Sequence, residues 1–365
     1  MQLRVFRTVD GAPLVGSNTI PASKCSWRLT LNEAGTASFT IPNSHPLAVW
    51  GARTKLRPWY STVALIDGGD VVHAGPVLRR KWTPRGGLAV TVGGVWDLFS
   101  KRLVLNHLLD SLWADGEVLV DEENPSPQWQ LTFINQSLGG IGAGLVREAL
   151  KWGPLLVDAP SAEVGVHERT YNGWDLATVA DRLTDLTEVI NGPRIEFRSY
   201  LRSDGYLRAE YLASQAGGTH HRLSTAMEGH GVVVEDIDED GGSLASEVYA
   251  LGGRAGDLVL TARRRSPRLT GQGYPVMQEA MKQHASVARL TTLQDHVNQR
   301  LVDGSTVPES TELTLRRSHR VRPGDVLDIT MRSSYHGSVD LTLHVVEVAG
   351  DTGEWVRVTA FPEEV

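Results

Sequence analysis

The chain reads TTLQDHVNQRLVDG over residues 291–304, and this stretch opens the segment that decides the fold. Its apolar residues recur every four positions and predict one buried face of a short helix: Leu293, Val297 and Leu301. Thr292 and Asp295 suit the first turn, where a hydroxyl and a carboxylate can accept hydrogen bonds from free N–H groups. Gly304 is expected to end the helix, because glycine adopts a left-handed backbone without steric cost.

After Gly304 the apolar residues alternate with polar ones, which is typical of a strand with one buried face. Four such runs follow, at residues 313–315, 326–329, 339–345 and 355–361. The sequences RPGD and GDTG predict turns at 322–325 and 350–353. The pattern predicts a four-stranded antiparallel meander. Because one such sheet buries little apolar surface alone, we expect other sheets or subunits to complete its core.

The first hundred residues are also dominated by short alternating runs, at 3–5, 27–31, 37–41, 63–66, 71–75, 77–82 and 88–92. Turn sequences separate several of them, including the acidic, glycine-rich DGGD at 67–70. Many short strands at this spacing predict a small β-barrel or sandwich.

Helical patterns dominate the centre of the chain, at 96–113, 137–152 and 173–188, with Asn172 as the expected cap of the last helix. An acidic, proline-bearing loop is predicted at 121–127, and a hairpin at 195–211. Four glycines near the start of the second helix resemble a dinucleotide-binding loop: Gly139, Gly140, Gly142 and Gly144. Their spacing departs from G-x-G-x-x-G, so close helix packing is the interpretation that we favour.

The composition excludes several classes of protein. The 365 residues carry a formal net charge of −7, which argues against non-specific nucleic-acid binding. Cys25 is the single cysteine, so it forms no disulfide within the chain, and we expect a buried structural thiol. No apolar run approaches the roughly 18 residues of a membrane span, and the N-terminus lacks the apolar core of a signal peptide. We expect synthesis in a cytoplasm without export.

The strongest candidate for a metal site is an acidic segment with the spacing of an EF-hand loop: Asp236, Asp238, Asp240, Gly241 and Glu247. Alternate oxygen ligands on a turning loop are what Ca²⁺ requires. The flanking valines at 232–234 predict a strand instead of a helix, Ser243 occupies the usual apolar eighth position, and no second loop is present. An acidic surface turn between a strand at 232–237 and a short element at 244–251 is the favoured alternative.

Catalytic motifs are absent from the sequence: it contains no G-x-S-x-G, H-E-x-x-H, P-loop or S-x-x-K. His220 and His221 lie in a polar stretch, where we expect solvation instead of metal binding. Tryptophans could stack on carbohydrate, but most are flanked by strand or helix patterns, and we expect core or subunit-interface positions for them: Trp27, Trp82, Trp96 and Trp174. We predict no catalytic residue and no cofactor.

The order of the motifs resembles the minor tail proteins of long-tailed actinobacterial phages, the Gp37-like family. The segments that carry the resemblance are VTVGGVWDLF at 90–99, YNGWDL at 171–176, EDI at 235–237, LASEVYALGG at 244–253, TL at 292–293 and VRPGDV at 321–326. These proteins are similar to tail-hub or baseplate-hub proteins.

That resemblance implies an α+β, β-rich fold with two tail-tube-like antiparallel β-barrel or sandwich domains and helical and small α/β insertions. The expected division is an N-terminal β-barrel at 1–95, a mainly helical mixed domain at 96–192, a second β-rich segment with hairpins at 193–270, and a helix with a C-terminal β-barrel segment at 271–365.

The implied function is structural: a homotrimeric ring at the tail tip of the virion that closes the tail tube. Its expected partners are the distal tail protein, the C-terminus of the tape-measure protein and other minor tail or fibre proteins. Genomic DNA would pass through the lumen without specific binding, since like charge denies phosphates a docking site. A cell-wall hydrolase or a carbohydrate-binding tail-tip protein remains the alternative function.

Overall fold

The computed structural model describes residues 1–14, 20, 23–44, 52–111, 129–189, 191–214, 218–225, 231–255, 258–281, 290–307, 309–333 and 337–362. The strands of the N-terminal part are β1 (Gln2–Arg7), β2 (Ser23–Thr30), β3 (Thr36–Ile41), β4 (Ser61–Asp67), β5 (Asp70–Thr83) and β6 (Gly87–Val92). Those of the central part are β7 (Gln130–Gln136), β8 (His167–Asn172), β9 (Arg194–Leu201) and β10 (Leu207–Ser214).

The C-terminal part contributes the remaining strands: β11 (His220–Ser224), β12 (Val232–Glu239), β13 (Glu247–Ala255), β14 (Leu258–Arg265), β15 (Gln278–Ala280), β16 (Glu309–Arg316), β17 (Val326–Ser333), β18 (Gly337–Asp351) and β19 (Trp355–Pro362). The α-helices are α1 (Ala52–Lys55), α2 (Trp96–Phe99), α3 (Leu138–Lys151), α4 (Val179–Thr187), α5 (Arg268–Gly271) and α6 (Leu290–Asp303). None of the helices in the described residues is long and apolar enough to cross a membrane.

Two six-stranded halves dominate the structure, and they have the same strand order. The N-terminal half runs β1-β4-β5-β6-β3-β2, and the C-terminal half runs β11-β17-β18-β19-β16-β12. If each half is numbered from one to six along the chain, both orders read 1-4-5-6-3-2. The fifth strand is the longest in both halves, with 14 residues in β5 and 15 in β18. The halves differ at the first strand, which pairs antiparallel in β1 and parallel in β11.

One continuous twelve-stranded sheet joins the halves, because β2 pairs with β18. Both halves also share one hydrophobic core, in which Val5 and Phe39 lie with Leu313 and Val358. The expectation that other sheets or subunits complete the core of the C-terminal sheet is met within the chain, because the N-terminal half shares that core. The expected meander is corrected, because β19 lies between β18 and β16. The β-rich class is confirmed, and pairings among the described strands leave the sheet open instead of closing barrels.

The predicted N-terminal hairpins are confirmed. β2 pairs with β3 across the turn at 31–35, β4 with β5 across the tip at 67–70, and β5 with β6. The central hairpin of β9 and β10 is present too, with Gly205 at a φ of 83° in its turn. The division of the chain into four domains, at 1–95, 96–192, 193–270 and 271–365, stays a prediction.

The predicted helix at 96–113 is wrong. Only α2 and a 3₁₀ turn at His107–Ser111 form there, because the backbone between them pairs elsewhere: Val104 N–H donates to the Ala177 carbonyl at 2.9 Å. Residues 112–113 and the predicted loop at 121–127 lie outside the described residues. The helix predicted at 173–188 begins later, at Val179, where Thr178 and Asp181 form a capping box. Residues 173–175 form a 3₁₀ turn instead.

The glycines of α3 serve close packing, as the sequence predicted. Ser137 caps the helix by accepting a hydrogen bond from Gly140 N–H at 2.8 Å. A Cβ at Gly140 would overlap the carbonyl oxygen of Glu163, and one at Gly139 would lie 2.8 Å from Ala213 Cβ. The second hydrophobic core is built around α3 and α4, with Ile141 and Leu183 fully buried.

Gly140→Ala is expected to destabilise the protein by about 1–3 kcal/mol, although alanine is the better helix former by up to about 1 kcal/mol. The new methyl group would meet a backbone oxygen, which cannot rotate away as a flexible side chain can. Gly271→Ala is the control, because nothing lies within 4 Å of its Cβ position. Denaturant unfolding measures both free energies. Equal stability of the two variants would contradict the packing role.

A third, small core lies in the segment inserted between β12 and β16, where α6 packs on β13 and β14. Leu293 and Val297 of α6 are fully buried and Leu301 packs beside them, as predicted. The predicted caps are corrected: α6 includes residues 290–292, so Thr292 lies inside the helix. Gly304 follows the helix but has no left-handed φ; a Cβ there would lie 2.9 Å from the Ala245 nitrogen. The sequence of 271–288 fits either a strand or a helix, and its residues 282–288 lie outside the described residues.

Candidate functional site

The junction of the two halves is formed by residues 26–30 of β2 and 347–351 of β18, paired antiparallel. Trp27 lies opposite Gly350, where a Cβ would approach the Trp27 ring to 2.7 Å. Arg28 and Glu347 form an ion pair across the junction at 3.3 Å. The junction thus combines backbone pairing, one buried aromatic ring and one exposed charge pair.

A groove of about 600 Å³ lies beside this junction. Its walls are the tip of the β4–β5 hairpin, part of β9 and the segment 317–325, which precedes β17. Arg317 bonds to Asp67 at 3.0 Å, and Arg320 forms an ion pair with Asp70. The acidic tip that the sequence singled out therefore binds arginines of the other half of the chain.

Arg322 extends the same network to the central hairpin. Its guanidinium donates to Glu196 Oε1 at 3.0 Å and to the Val71 carbonyl at 3.4 Å. Because these arginines are matched by carboxylates, the groove carries fixed ion pairs. The arrangement holds the N-terminal hairpin, the central hairpin and the C-terminal half in one relative position.

Asp325 is the most buried carboxylate of the groove. Its Oδ2 accepts hydrogen bonds from Arg322 N–H at 2.9 Å and His221 Nε2 at 3.0 Å, and its Oδ1 accepts one from Thr219 N–H at 2.9 Å. His220 and His221 were expected in a solvated loop. They lie instead on β11, because this strand pairs with β17 and both rings reach carboxylates.

Asp325→Ala is expected to destabilise the protein by about 2 kcal/mol, because two backbone N–H groups and one imidazole lose a shared acceptor in a mostly buried site. Asp328→Ala is the control: Asp328 binds His220 and Thr342, but at a more exposed position. We expect a loss below about 1 kcal/mol for the control. Thermal or denaturant unfolding provides the comparison, and an equal loss in both variants would contradict this account of Asp325.

The residues of the calcium-loop hypothesis do not come together. Asp236 and Asp238 lie on the exposed strand β12, and Asp240 Oδ1 accepts a hydrogen bond from Gly242 N–H. Glu247 begins β13, where a hydrogen bond from Gln278, with others from Tyr249 and Arg263, lowers the pKa of Glu247 to about 2. Across the described part of the chain, no group of three or more His, Cys, Asp or Glu side chains is placed to hold a metal ion.

Other residues that the sequence singled out divide by burial. Trp27 and Trp96 are core residues, and Cys25 is a buried free thiol, whose pKa is raised by burial. Trp82 and Trp174 are about half exposed, with 56% and 47% of their surface accessible.

The open edge of one exposed strand was not predicted from the sequence. β12 pairs only with β16, so its second edge has no strand partner among the described residues. The second half of β5 pairs with β6 on one side, whereas β4 covers only residues 70–76 on the other. The segment before β4 continues along that side, because Trp59 N–H donates to the Val77 carbonyl at 2.9 Å and Arg80 Nη1 donates to the Leu56 carbonyl at 3.3 Å. The signal in the sequence was the acidic run of β12.

Comparison with solved structures relates the whole chain to phage tail proteins. A tail protein from Neisseria meningitidis aligns over 100% of this chain and 97% of its own, with a TM-score of 0.55 at 14% identity. The fold is that of a phage tail protein. The 43 kDa tail protein of prophage MuSo2 from Shewanella oneidensis aligns over 98% of this chain and 97% of its own, with a TM-score of 0.53 at 10% identity.

A third structure extends the similarity beyond phages. The E. coli c3393 protein, a type VI secretion component described as structurally similar to phage T4 tail proteins gp27 and gp5, aligns over 100% of this chain and 77% of its own. Its TM-score is 0.52 at 11% identity. No sequence family and no curated protein matches the chain. The resemblance to the Gp37-like family thus stays a prediction at that finer level.

Proposed function

We propose that this chain is a structural protein of the phage virion, a hub or baseplate component at the tip of a long tail. The observation that carries the proposal is the repeated strand order of the two halves, in a chain whose fold matches tail proteins over its whole length. A repeated unit has a direct use in a tail, because it allows one chain to occupy two similar positions around an axis.

The proposed assembly is a homotrimeric ring. Three copies supply six similar halves, so a threefold ring can meet a tail tube of sixfold symmetry. Heterologous contacts between copies close into a ring when the rotation between neighbours divides a full turn. Such closure also covers strand edges that would otherwise invite aggregation. The open edge of β12 is compatible with this assembly.

The insertions between and within the halves are proposed to contact other tail proteins: the distal tail protein, the tape-measure C-terminus and fibre or minor tail proteins. One surface in the central insertion carries exposed apolar side chains. Ile134 lies on β7, and Val164 bridges to Gln136 on that strand, with Val166 nearby in sequence. Val164 and Val166 are 87% and 90% exposed, and clustered apolar exposure is typical of interaction sites.

DNA is proposed to pass through the ring without specific binding. The net charge of −7 supports this, because a protein with net negative charge repels the phosphates instead of releasing the cations condensed on DNA. We also propose that the protein is not an enzyme. Asp325 and His221 form the one hydrogen-bonded carboxylate–imidazole pair that lines the groove among the described residues. Their hydrogen bonds hold β11 and the turn before β17 in place.

Immunogold labelling of intact phage particles tests the proposed location. We expect label at the tail tip, with tails from a knockout phage as the negative control. Incubation of the purified protein with host cell walls should release no sugar or peptide fragments. Absence of the protein from virions would overturn the structural role, and fragment release would favour a cell-wall hydrolase.

A further inference from the structure

The turn before β4, residues 57–60, presents two aromatic side chains to the solvent. Its sequence is RPWY, and all four residues of this RPWY turn are exposed. A cation lies over each ring: the Arg57 guanidinium carbon is 4.7 Å from the centre of the Tyr60 ring, and Lys101 Nζ is 5.4 Å from that of Trp59. Neither cation has an ion-pair partner among the described residues.

Hydrogen bonds hold the RPWY turn in one shape. Arg57 N–H donates to Ser61 Oγ at 3.2 Å, and Ser61 N–H donates to the Arg57 carbonyl at 3.0 Å. Trp59 has a φ of 62°, a left-handed conformation that bulky residues seldom adopt. Glycine would adopt it without strain. The backbone therefore does not explain a tryptophan at this position, whereas a contact made by its exposed ring would.

The strand β12 is complementary to the RPWY turn in charge and polarity. Asp236, Asp238 and Glu239 are exposed and have no ion-pair partner in the described part of the chain. Val233 adds an apolar side chain that is 46% exposed. The chain thus carries an aromatic and cationic turn together with an apolar and acidic strand, and neither surface is covered within the described structure.

The repeated strand order relates the positions of these two surfaces. Inside the chain, β2 pairs with residues 347–351 of β18, on the side where β17 pairs with the earlier part of that strand. β12 corresponds to β2, and β5 corresponds to β18. On the corresponding side of β5, beyond β4, lies the RPWY turn, bonded to the Val77 carbonyl. A second copy placed as the halves are placed would therefore bring its β12 to this turn.

We propose that the RPWY turn of one copy docks against β12 of the next copy. Trp59 and Tyr60 cover the exposed apolar side chain of β12, and Arg57 and Lys101 meet its carboxylates. This inference rests on the proposed ring and names the contact between its subunits. The contact is made by side chains, so the hydrogen bond from Trp59 N–H to Val77 stays intact. Trp, Tyr and Arg are the residue types that contribute most at interfaces.

The charges also select a head-to-tail arrangement. Two RPWY turns facing each other would bring cations together, and two β12 strands would bring carboxylates together, so both arrangements are repulsive. A turn against a β12 strand is the combination that matches opposite charges. It is heterologous, so it builds a ring instead of a twofold dimer.

Photo-cross-linking in phage particles tests the contact. A phage in which p-benzoylphenylalanine replaces Trp59 should yield covalent dimers and trimers of the chain after illumination. Mass spectrometry of the cross-linked peptides should place the second end within residues 231–240. The control carries the same side chain in place of Trp174, which is exposed in the central part of the chain and should give no cross-link to that strand.

The outcomes separate the contact from the ring. Several copies per tail tip without a cross-link from position 59 to residues 231–240 would overturn the contact and leave the proposed function standing. So would a cross-link from position 59 to a different protein or to DNA, or a cross-link from the Trp174 control to residues 231–240. A single copy per tail would overturn both.

Glycine substitution separates the ring of Trp59 from its backbone. Trp59→Gly removes the ring and fits the left-handed conformation, so the purified variant should keep the circular dichroism spectrum of the natural protein. Its incorporation into tails should fall at least about tenfold. Loss of folding in this variant would assign the ring to the fold instead of the contact, and normal incorporation would also contradict the proposal.

Charge exchange provides a further readout. Arg57→Glu/Lys101→Glu should lower incorporation into tails at least about tenfold, as should Asp236→Lys/Asp238→Lys. All four substitutions together should restore incorporation, because the facing charges are again opposite. Arg265→Glu is the control, since Arg265 is an exposed residue of β14, and it should leave incorporation unchanged. If the fourfold variant folds but does not exceed both double variants, the proposed pairing of charges is wrong.

Discussion

Trp27→Ala is expected to destabilise the protein by about 3–5 kcal/mol, the range for removing a buried large aromatic side chain. Trp27 is 5% exposed, and it joins the shared core from the strand that links the two halves. Its ring covers Gly350, so alanine would leave a cavity on the joint itself. Denaturant unfolding with an unchanged m-value would report the loss as stability.

Trp174→Ala is the control for this substitution, because Trp174 lies at the surface with 47% exposure. We expect a change within about 1 kcal/mol for it. Trp27→Phe should lose less than Trp27→Ala, since an aromatic ring still covers Gly350. If both alanine variants unfold at the same denaturant concentration, the junction does not depend on Trp27.

Acidification is expected to remove about 3 kcal/mol of stability through His73. Burial lowers the pKa of His73 to about 4, against about 6.5 for an exposed imidazole. His73 Nε2 donates to the Gly93 carbonyl at 2.9 Å, so the neutral ring is satisfied in the fold. Between these pKa values the unfolded chain binds a proton that the folded chain excludes. The contribution is complete above pH 6.5 and is lost as the pH falls toward 4.

The measurement is the free energy of unfolding from pH 7.5 to 4.5 for the natural protein and for His73→Gln, in which an amide can still donate to Gly93. The natural protein should lose more stability over this range than the variant does. The difference between the two curves isolates His73 from the many surface carboxylates. Parallel curves would show that the buried imidazole does not titrate as proposed.

Local periodicity predicted most strands, because alternating apolar residues such as those of β3 and β18 require one buried face. It could not predict pairing. β16 is followed by β17 in sequence but lies beside β19, and β2 meets β18 across more than 300 residues. These choices follow from how the two halves close one shared core, which short-range patterns do not encode.

The helical errors have a different cause. Leucines at 98, 105, 108 and 109 suggested one long helix, but the backbone from Leu103 to Val104 pairs with residues 177–178 and interrupts it. At 173–188, Asn172 looked like the cap, whereas Thr178 has the capping box. Long-range backbone pairing overrode local propensity in the first case, and a stronger local cap decided the second.

The charge runs are visible in the sequence, but their surroundings in the fold are not. The acidic residues of β12 have the spacing of a calcium-binding loop. The spacing alone does not show whether the backbone turns around an ion or extends as a strand. The basic run at 79–81 lies in a predicted hairpin strand, and the sequence does not show that Arg80 reaches the Leu56 carbonyl.

Counting copies at the tail tip tests the central claim most directly, that two repeated halves in each chain build a ring with neighbouring copies. Averaged electron micrographs of isolated tails should show three copies of this chain around the tail axis, contributing six similar β-rich units. A single copy on the axis, or a ring in which the two halves do not alternate as similar units, would contradict it.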